Sequence, residues 1–190
     1  MIDESNESTF VGVVGEVFYS EIKKYDIADG PGVRVALFVS GCTHHCKGCF
    51  NEMTWDFKYG KEFGEDTVVE IVEALKAPYI AGLTLLGGEP MEYVNQQGLL
   101  PLLRKVKNEY PNKTIWCYTG YLFDKDILEN FIDKYPETQE ILSYLDVIVD
   151  GEFIESQKDI SLRFRGSSNQ RIIDVQKSLK AGTISLWEDT

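Results

Sequence analysis

The chain has 190 residues, 43% hydrophobic and 26% charged, an ordinary globular composition that excludes disordered and fibrous classes. Its 19 Lys and Arg against 31 Asp and Glu give a net charge of -12, which disfavours nucleic acid and anionic membrane surfaces as partners. No stretch reaches the roughly 18 apolar residues of a membrane span, and the acidic N-terminus lacks the basic start of a secretory signal. We therefore expect a cytoplasmic protein that binds neither nucleic acid nor membrane.

The sequence predicts a single domain over residues 21–190, preceded by an N-terminal extension over residues 1–20. An apolar stretch at 10–19 predicts a first strand, although its glycines weaken the signal. The elements that follow are strand 33–39, helix 65–76, strand 82–86, helix 99–110, strand 114–118, helix 127–135, strand 146–149, and short strands at 171–175 and 183–187.

Strands that alternate with helices indicate an α/β fold with a mostly parallel sheet. Cysteine-rich, glycine-rich and acidic turns follow the predicted strands directly. In parallel α/β folds the carboxyl edge of the sheet carries the active site. We therefore expect these turns to form one shared site.

The loop after strand 33–39 carries Cys42, Cys46 and Cys49 in the spacing Cys-x3-Cys-x2-Cys. Three soft thiolates on one short loop can hold a single metal ion or a single cluster. A structural zinc site would take His44 or His45 as its fourth ligand. An iron–sulfur cluster normally takes four cysteines, so three would leave one iron of a 4Fe–4S cluster without a protein ligand.

This spacing, placed directly after a first strand, resembles the signature of the radical S-adenosylmethionine (SAM) enzymes. The resemblance implies that Cys42, Cys46 and Cys49 hold one 4Fe–4S cluster per chain, and that SAM binds its open iron. It also implies a partial, open (β/α) barrel with a mostly parallel sheet. The chemistry would belong to the two cofactors, so no side chain is predicted to be catalytic. His44 and His45 are then expected to be neutral neighbours of the cluster.

The turn Gly87-Gly88-Glu89 follows the second predicted strand of the alternating region. It is similar to the glycine-glycine-acid motif of the same family, which implies contact with the SAM amino group. Glycines let a backbone approach a ligand without a Cβ clash. The full set of expected SAM contacts is Gly48, Cys49, Phe50, Gly87, Gly88, Glu89, Thr119 and Asp150. For Thr119 and Asp150, which end strands, a capping or turn role remains an equal alternative, and Cys117 is expected to be a buried strand residue.

Three further segments narrow the resemblance: Asp-Gly-Pro-Gly-Val-Arg at 29–34, Trp-Cys-Tyr-Thr-Gly-Tyr at 116–121 and Arg-Gly-Ser-Ser-Asn-Gln at 165–170. With the cysteine loop they look like the glycyl-radical-enzyme activases, and most like those that activate anaerobic ribonucleoside-triphosphate reductase. The resemblance implies reductive cleavage of SAM, and removal of a hydrogen from a glycine of the large catalytic reductase subunit. It also implies a flavodoxin-like or other low-potential electron donor.

The short chain fits a substrate that is itself a protein. A closed eight-stranded barrel usually takes about 200 residues or more, so this barrel should stay open on one side and admit a loop of a partner. We expect residues 165–170 at the rim of that opening. Three alternatives remain: an activase of another glycyl radical enzyme such as pyruvate formate-lyase, a small-molecule radical SAM enzyme, and a zinc-binding interaction module.

Overall fold

The central strand of the fold is β2 (Val33–Val39), six of whose seven residues are buried. Its β-branched and aromatic side chains suit a strand that is covered on both faces. Three further strands follow it in parallel: β4 (Ile80–Gly87), β5 (Thr114–Tyr118) and β6 (Val147–Asp150). The computed structural model describes residues 16–188.

Antiparallel strands extend this parallel centre on both sides. Strand β1 (Phe18–Asp26) pairs with β2, and the two-residue strand β3 (Lys61–Glu62) pairs with β1. On the other side β7 (Arg171–Asp174) pairs with β6. The seven strands lie in the order β3-β1-β2-β4-β5-β6-β7, so the sheet stays open. The predicted α/β fold with a partial, open and mostly parallel barrel is confirmed.

Helices connect the parallel strands and bury one face of the sheet. They are α1 (Glu65–Leu75), α2 (Tyr93–Glu109), a π-helix (Phe123–Phe131) continued by α3 (Ile132–Lys134), α4 (Pro136–Tyr144) and, after β7, α5 (Val175–Ala181). Alternate residues of β2, such as Val35 and Leu37, join the large core with these helices. Ala36 and Phe38 face the other way and form a separate small cluster with Leu86. The sheet therefore has one face sealed by helices and a second face available for a site.

Several predicted elements are confirmed. Strands 33–39 and 114–118 coincide with β2 and β5, and helix 65–76 agrees with α1 to within one residue. Helix α2 begins six residues before the predicted start at 99. The buried side chains there are Asn95 and Gln96, whose amides donate to the carbonyls of Glu89 and Met91. Because polar groups occupy the inner face of this turn, apolar periodicity does not mark it.

Other predictions differ from the structure. The first described strand is β1 at Phe18–Asp26 rather than 10–19, and residues 10–15 lie outside the described residues. Exposed Glu21, Lys23 and Lys24 weaken its apolar signal. The predicted strand 183–187 is wrong: the segment forms only an isolated bridge between Leu186 and Ile173. Helices α4 and α5 were not predicted, and the strand at 171–175 ends one residue earlier because Val175 begins α5.

The division at residue 21 remains a prediction, although β1 already begins at Phe18, inside the proposed extension. None of the helices in residues 16–188 has the length and apolar character to span a membrane.

Candidate iron–sulfur site

A cavity of about 550 Å³ lies where the loops after β2, β4, β5 and β6 meet. Its volume falls in the range of small-molecule sites. Nine of the ten predicted cluster ligands and SAM contacts line this cavity: Cys42, Cys46, Gly48, Cys49, Phe50, Gly87, Gly88, Glu89 and Thr119. The fold thus brings these three loops together as the carboxyl-edge argument predicts. Asp150 is the exception and does not line the cavity.

A 3₁₀ helix (Glu52–Trp55) accepts backbone hydrogen bonds from the start of the cysteine loop. The Gly41 N–H donates to the Thr54 carbonyl at 2.8 Å, and the Cys42 N–H donates to the Trp55 carbonyl at 3.3 Å. Gly41 has a φ of 96°, and a Cβ there would lie 2.3 Å from the Phe57 ring. Only glycine fits this turn. The bonds to Thr54 and Trp55 therefore fix the start of the cysteine loop.

All three loop cysteines are free thiols that line the cavity. Burial raises the pKa of Cys42 to about 12, and burial also raises the pKa of Cys46. These thiols are protonated when no metal is bound, so metal binding must displace protons. The Asn51 N–H donates to Cys49 Sγ at 3.4 Å, which helps to orient this side chain.

The donors fit a cluster better than a zinc ion. Both nitrogens of His44 face carboxylates, and the His45 ring stacks on Trp55 with the centroids 4.6 Å apart. Neither histidine is therefore turned toward the cysteines as a fourth ligand. In residues 16–188 no group of three or more His, Cys, Asp or Glu side chains is arranged around a single ion. Three thiols that share a cavity, with space beside them, suit a larger cluster with an open iron.

His44 differs from the neutral neighbour of the cluster that the sequence predicted. Its Nε2 lies 2.9 Å from Glu89 Oε2, and its Nδ1 lies 2.9 Å from Glu152 Oε1. Burial lowers the pKa of His44, but the two carboxylates outweigh burial and raise the pKa to about 9. Each ring nitrogen thus faces a carboxylate oxygen, an arrangement that suits a doubly protonated ring. No sequence signal links His44 to Glu152, which is 108 positions away.

The glycine-glycine-acid turn packs directly against the cysteine loop. A Cβ on Gly88 would lie 2.6 Å from the Gly41 carbonyl oxygen and 2.9 Å from that of Thr54. Gly87 has a φ of 110°, and its Cβ would lie 2.7 Å from the backbone of Phe38. The glycines are thus required for backbone packing beneath the cysteines, besides any approach to a ligand.

The other expected SAM contacts differ in their surroundings. Phe50 is 84% exposed at the mouth of the cavity, and Gly48 has a φ of 75°. Thr119 is buried, and its Oγ1 accepts from the Tyr121 N–H at 3.1 Å. The Asp150 carboxylate is fully buried and accepts from the Phe123 N–H and from the Arg171 guanidinium. Asp150 therefore attaches β6 to β7 and to the start of the π-helix, and a contact between Asp150 and SAM remains a prediction.

The segment 29–34 contributes to the wall of the cavity through Asp29. Ala28 and Asp29 line it, and Arg34 is fully buried behind them. The Arg34 guanidinium donates to Thr84 Oγ1 at 2.7 Å and to the Leu83 carbonyl at 2.8 Å, and burial lowers its pKa to about 10. Gly30 covers this side chain with a φ of 134°. The motif therefore forms a tight turn that covers the buried side chain of Arg34.

The segment 165–170 lies at the rim of the cavity, as predicted. Arg165, Gly166 and Gln170 line the cavity, and Ser167 is fully buried. Gln170 Oε1 accepts from the Gly166 N–H at 2.8 Å, and Gln170 Nε2 donates to the Gly151 carbonyl at 3.0 Å. These bonds close the segment on itself and attach it to the loop after β6. Cys117, by contrast, is fully buried in the helix-side core, which confirms its predicted packing role.

Comparison with protein families identifies the class to which this fold and site belong. A family described as "4Fe-4S single cluster domain" matches residues 28–173, which include the cysteine loop, the glycine-glycine-acid turn and the cavity rim. The match defines an iron–sulfur protein that carries one cluster.

Curated relatives narrow the class. A protein of Haemophilus influenzae is 44% identical over 156 residues, 81% of this chain and 96% of that protein. A relative from Vibrio cholerae is 41% identical over 156 residues, 81% of this chain and 96% of that protein. A relative from Escherichia coli is 37% identical over 154 residues, 80% of this chain and 95% of that protein. Each is named anaerobic ribonucleoside-triphosphate reductase-activating protein. The chain belongs to the 4Fe-4S single cluster domain family and, within it, to the family of these activating proteins.

Proposed function

We propose that this chain activates anaerobic ribonucleoside-triphosphate reductase by forming a glycyl radical on its large catalytic subunit, with SAM as co-substrate. The observation that carries the proposal is the convergence of three free thiols and the glycine-glycine-acid turn on one cavity. The names of the relatives support the choice of partner. The membership in a single-cluster family supports the cofactor.

In this proposal Cys42, Cys46 and Cys49 hold the 4Fe–4S cluster. When bound, the cluster would supply one electron to cleave SAM into methionine and a 5′-deoxyadenosyl radical, which would take a hydrogen atom from the reductase glycine and leave as 5′-deoxyadenosine. The residues of the chain bind, orient and exclude water. Gly87 and Gly88 pack the end of β4 against the base of the cysteine loop and line the same cavity as the thiols, where the amino end of SAM would lie.

The shape of the cavity supports a protein substrate. Its inner wall is apolar, with Leu86, Tyr118 and Phe164, and this wall limits access of water to a radical. The sheet remains open between its edge strands β3 and β7. A glycine-bearing loop of the reductase could therefore reach the cavity from outside, whereas a small substrate would be poorly enclosed.

The position of the cysteine loop supports an external electron donor. Thr43, His45 and Lys47 are exposed on the loop that carries the thiols. A flavodoxin-like or other low-potential donor can therefore approach the cluster without entering the cavity. We place the protein in the cytoplasm, because four free cysteines suit a reducing compartment.

Electron paramagnetic resonance of the partner reductase tests the proposal. The anaerobically reconstituted protein, SAM and a strong reductant should produce a glycyl radical signal on purified reductase large subunit. Cys42→Ala, Cys46→Ala and Cys49→Ala should each abolish the signal, because three ligands of one cluster act as a unit. Cys117→Ala is the matched control and should keep the cluster and the signal.

The contrary outcomes are distinct. A radical on pyruvate formate-lyase but not on the reductase would move the function to another activase. SAM cleavage with no radical on either protein would favour a small-molecule substrate. Stoichiometric zinc in the protein, with no uptake of iron and sulfide, would favour an interaction module.

A further inference from the structure

His44 contacts the loops that follow all the other parallel strands of the sheet. It lies on the loop after β2, and its Nε2 is 2.9 Å from Glu89 on the loop after β4. Its ring packs edge-on against Tyr121 after β5, with the centroids 4.4 Å apart. Its Nδ1 is 2.9 Å from Glu152 after β6. One side chain of the cysteine loop thus joins four loops around the cavity.

Glu89 is the buried centre of this arrangement, with a side chain only 1% exposed. Besides facing His44, its Oε2 accepts from the Gly120 N–H at 2.7 Å, and its Oε1 accepts from the Met91 N–H at 2.8 Å. A carboxylate buried to this extent is stable only when several donors surround it. Glu89 therefore fixes the loops after β4 and β5 to each other. Its N–H also donates to the Gly41 carbonyl at the start of the cysteine loop, and His44 attaches the middle of that loop to the same carboxylate.

We propose that His44 is a positioning residue that sets the cysteine loop against the glycine-glycine-acid turn and so aligns the thiols with the place where SAM binds. The SAM part of this statement rests on the proposed function. The loop part rests only on contacts within the chain.

The imidazole ring is specifically suited to this task. It presents two ring nitrogens on opposite sides, and here each nitrogen lies 2.9 Å from a different carboxylate. An asparagine has a single amide nitrogen, so it could serve one carboxylate and would turn its carbonyl oxygen toward the other. Groups that orient metal ligands from outside the ligand set typically affect metal affinity or activity about 10- to 100-fold when changed.

His44→Asn and His45→Asn form a matched pair of variants. His45 is the next residue on the same loop, but it stacks on Trp55 and does not line the cavity. Its φ is 51°, a left-handed conformation that asparagine tolerates. The two variants therefore apply the same chemical change inside and outside the loop junction.

Two measurements decide the proposal. In the metal-free protein, amide hydrogen exchange at Gly120 and Met91 should become faster in His44→Asn and stay unchanged in His45→Asn. In the reconstituted protein, His44→Asn should bind SAM about 10- to 100-fold more weakly while iron and sulfide per chain stay at the wild-type level. Glu152→Gln, which keeps an acceptor for Nδ1, should retain more SAM affinity than Glu152→Leu.

The proposal is overturned if His44→Asn leaves both amide exchange and SAM affinity unchanged. It is also overturned if His44→Asn loses iron while the two amides stay protected, because His44 would then act on the cluster rather than on the loops. If the wild-type protein binds no SAM, the proposed function fails. The exchange of the Gly120 and Met91 amides then decides alone whether His44 holds the loops together. If His44→Asn fails to fold, the Glu152 variants test the proposal instead, because the Glu152 side chain is half-exposed.

Discussion

The Arg171 guanidinium contacts both oxygens of the buried Asp150 carboxylate, with Nε 3.0 Å from Oδ1 and Nη2 2.5 Å from Oδ2. Nη2 also lies 2.7 Å from Asp124 at the start of the π-helix. Strands β6 and β7 and the helix after β5 therefore meet at one ion-pair network. The pKa of Asp124 is lowered by its hydrogen bond to Arg171, as expected for a paired carboxylate.

Arg171→Leu should destabilise the protein strongly, because it leaves the Asp150 charge buried without its cation. Breaking a buried pair in this way typically costs about 3 to 5 kcal/mol. Urea unfolding of the metal-free protein measures the loss. Lys177→Leu, which removes the exposed ion pair with Asp174, is the control and should cost less than about 1 kcal/mol. Weakened SAM binding by Arg171→Leu at unchanged stability would instead make Asp150 a ligand contact.

Gly88→Ala should prevent cluster assembly. The new Cβ would lie 2.6 Å from the Gly41 carbonyl oxygen, a backbone atom that cannot move away without shifting the cysteine loop. Iron and sulfide per chain after anaerobic reconstitution measure the effect. At Gly64, which caps α1, an added Cβ meets nothing within 4 Å. Gly64→Ala should therefore cost at most about 1 kcal/mol of stability and leave cluster content unchanged. A Gly88→Ala protein with full iron content would contradict the packing role.

Asp29 should make stability depend on pH. Burial and the neighbouring Asp26 raise its pKa to about 6. An acid whose pKa is higher in the folded state holds its proton more tightly there, so its favourable contribution is complete below the unfolded pKa and disappears as pH rises from about 4 to about 6.

Asp29→Asn should remove this pH dependence and raise the free energy of unfolding at pH 7 by about 1 to 2 kcal/mol. Urea unfolding of the metal-free protein at pH 4.5 and pH 7 is the measurement. Asp133→Asn, at a surface position, serves as the control and should change neither value. Equal stability of Asp29→Asn and wild type at pH 7 would show that the carboxyl ionises freely in the cavity.

The double change Ser168→Ala and Asn169→Ala should lower the yield of glycyl radical without lowering cluster content. Asn169 Nδ2 donates to the Glu152 carbonyl at 2.8 Å, and Ser168 Oγ donates to Gln157 Oε1 at 3.3 Å, so both brace the rim against the loop after β6. Ser161→Ala is the control, since Ser161 Oγ bonds only to Asp159 among the described contacts.

Measuring SAM cleavage separately from radical transfer shows which step the rim serves. Loss of both activities would indicate that the rim contacts SAM, whereas loss of transfer alone would indicate that it contacts the reductase. Unchanged values for both would show that the rim is a surface turn with no role in activation.

Local signals in the sequence were sufficient where a single element determines the structure. Strand β2 is a continuous apolar run, and α1 places Val68, Ile71 and Val72 on one buried face. The cysteine spacing likewise identifies its own loop. These features depend on neighbours within a few residues, so one sequence reveals them.

Relationships between distant residues could not be predicted in the same way. His44 meets Glu89 and Glu152 only because parallel strands bring their carboxyl ends together, and nothing near these residues specifies partners. Asp150 was predicted as a site residue because it ends a strand, and no nearby signal shows that Arg171 on the antiparallel neighbour binds its carboxylate. Helix α5, with seven residues, is too short to show a reliable apolar period.

The two faces of the sheet have a consequence for how the protein is made. The large apolar core on the helix side contains none of the three loop cysteines, and backbone hydrogen bonds to the 3₁₀ helix fix the start of their loop. We therefore expect folding and metal loading to be separable steps, unlike in zinc fingers, which are unfolded without metal. A newly synthesised chain should then fold without its cluster, and iron and sulfide should be able to enter afterwards without refolding.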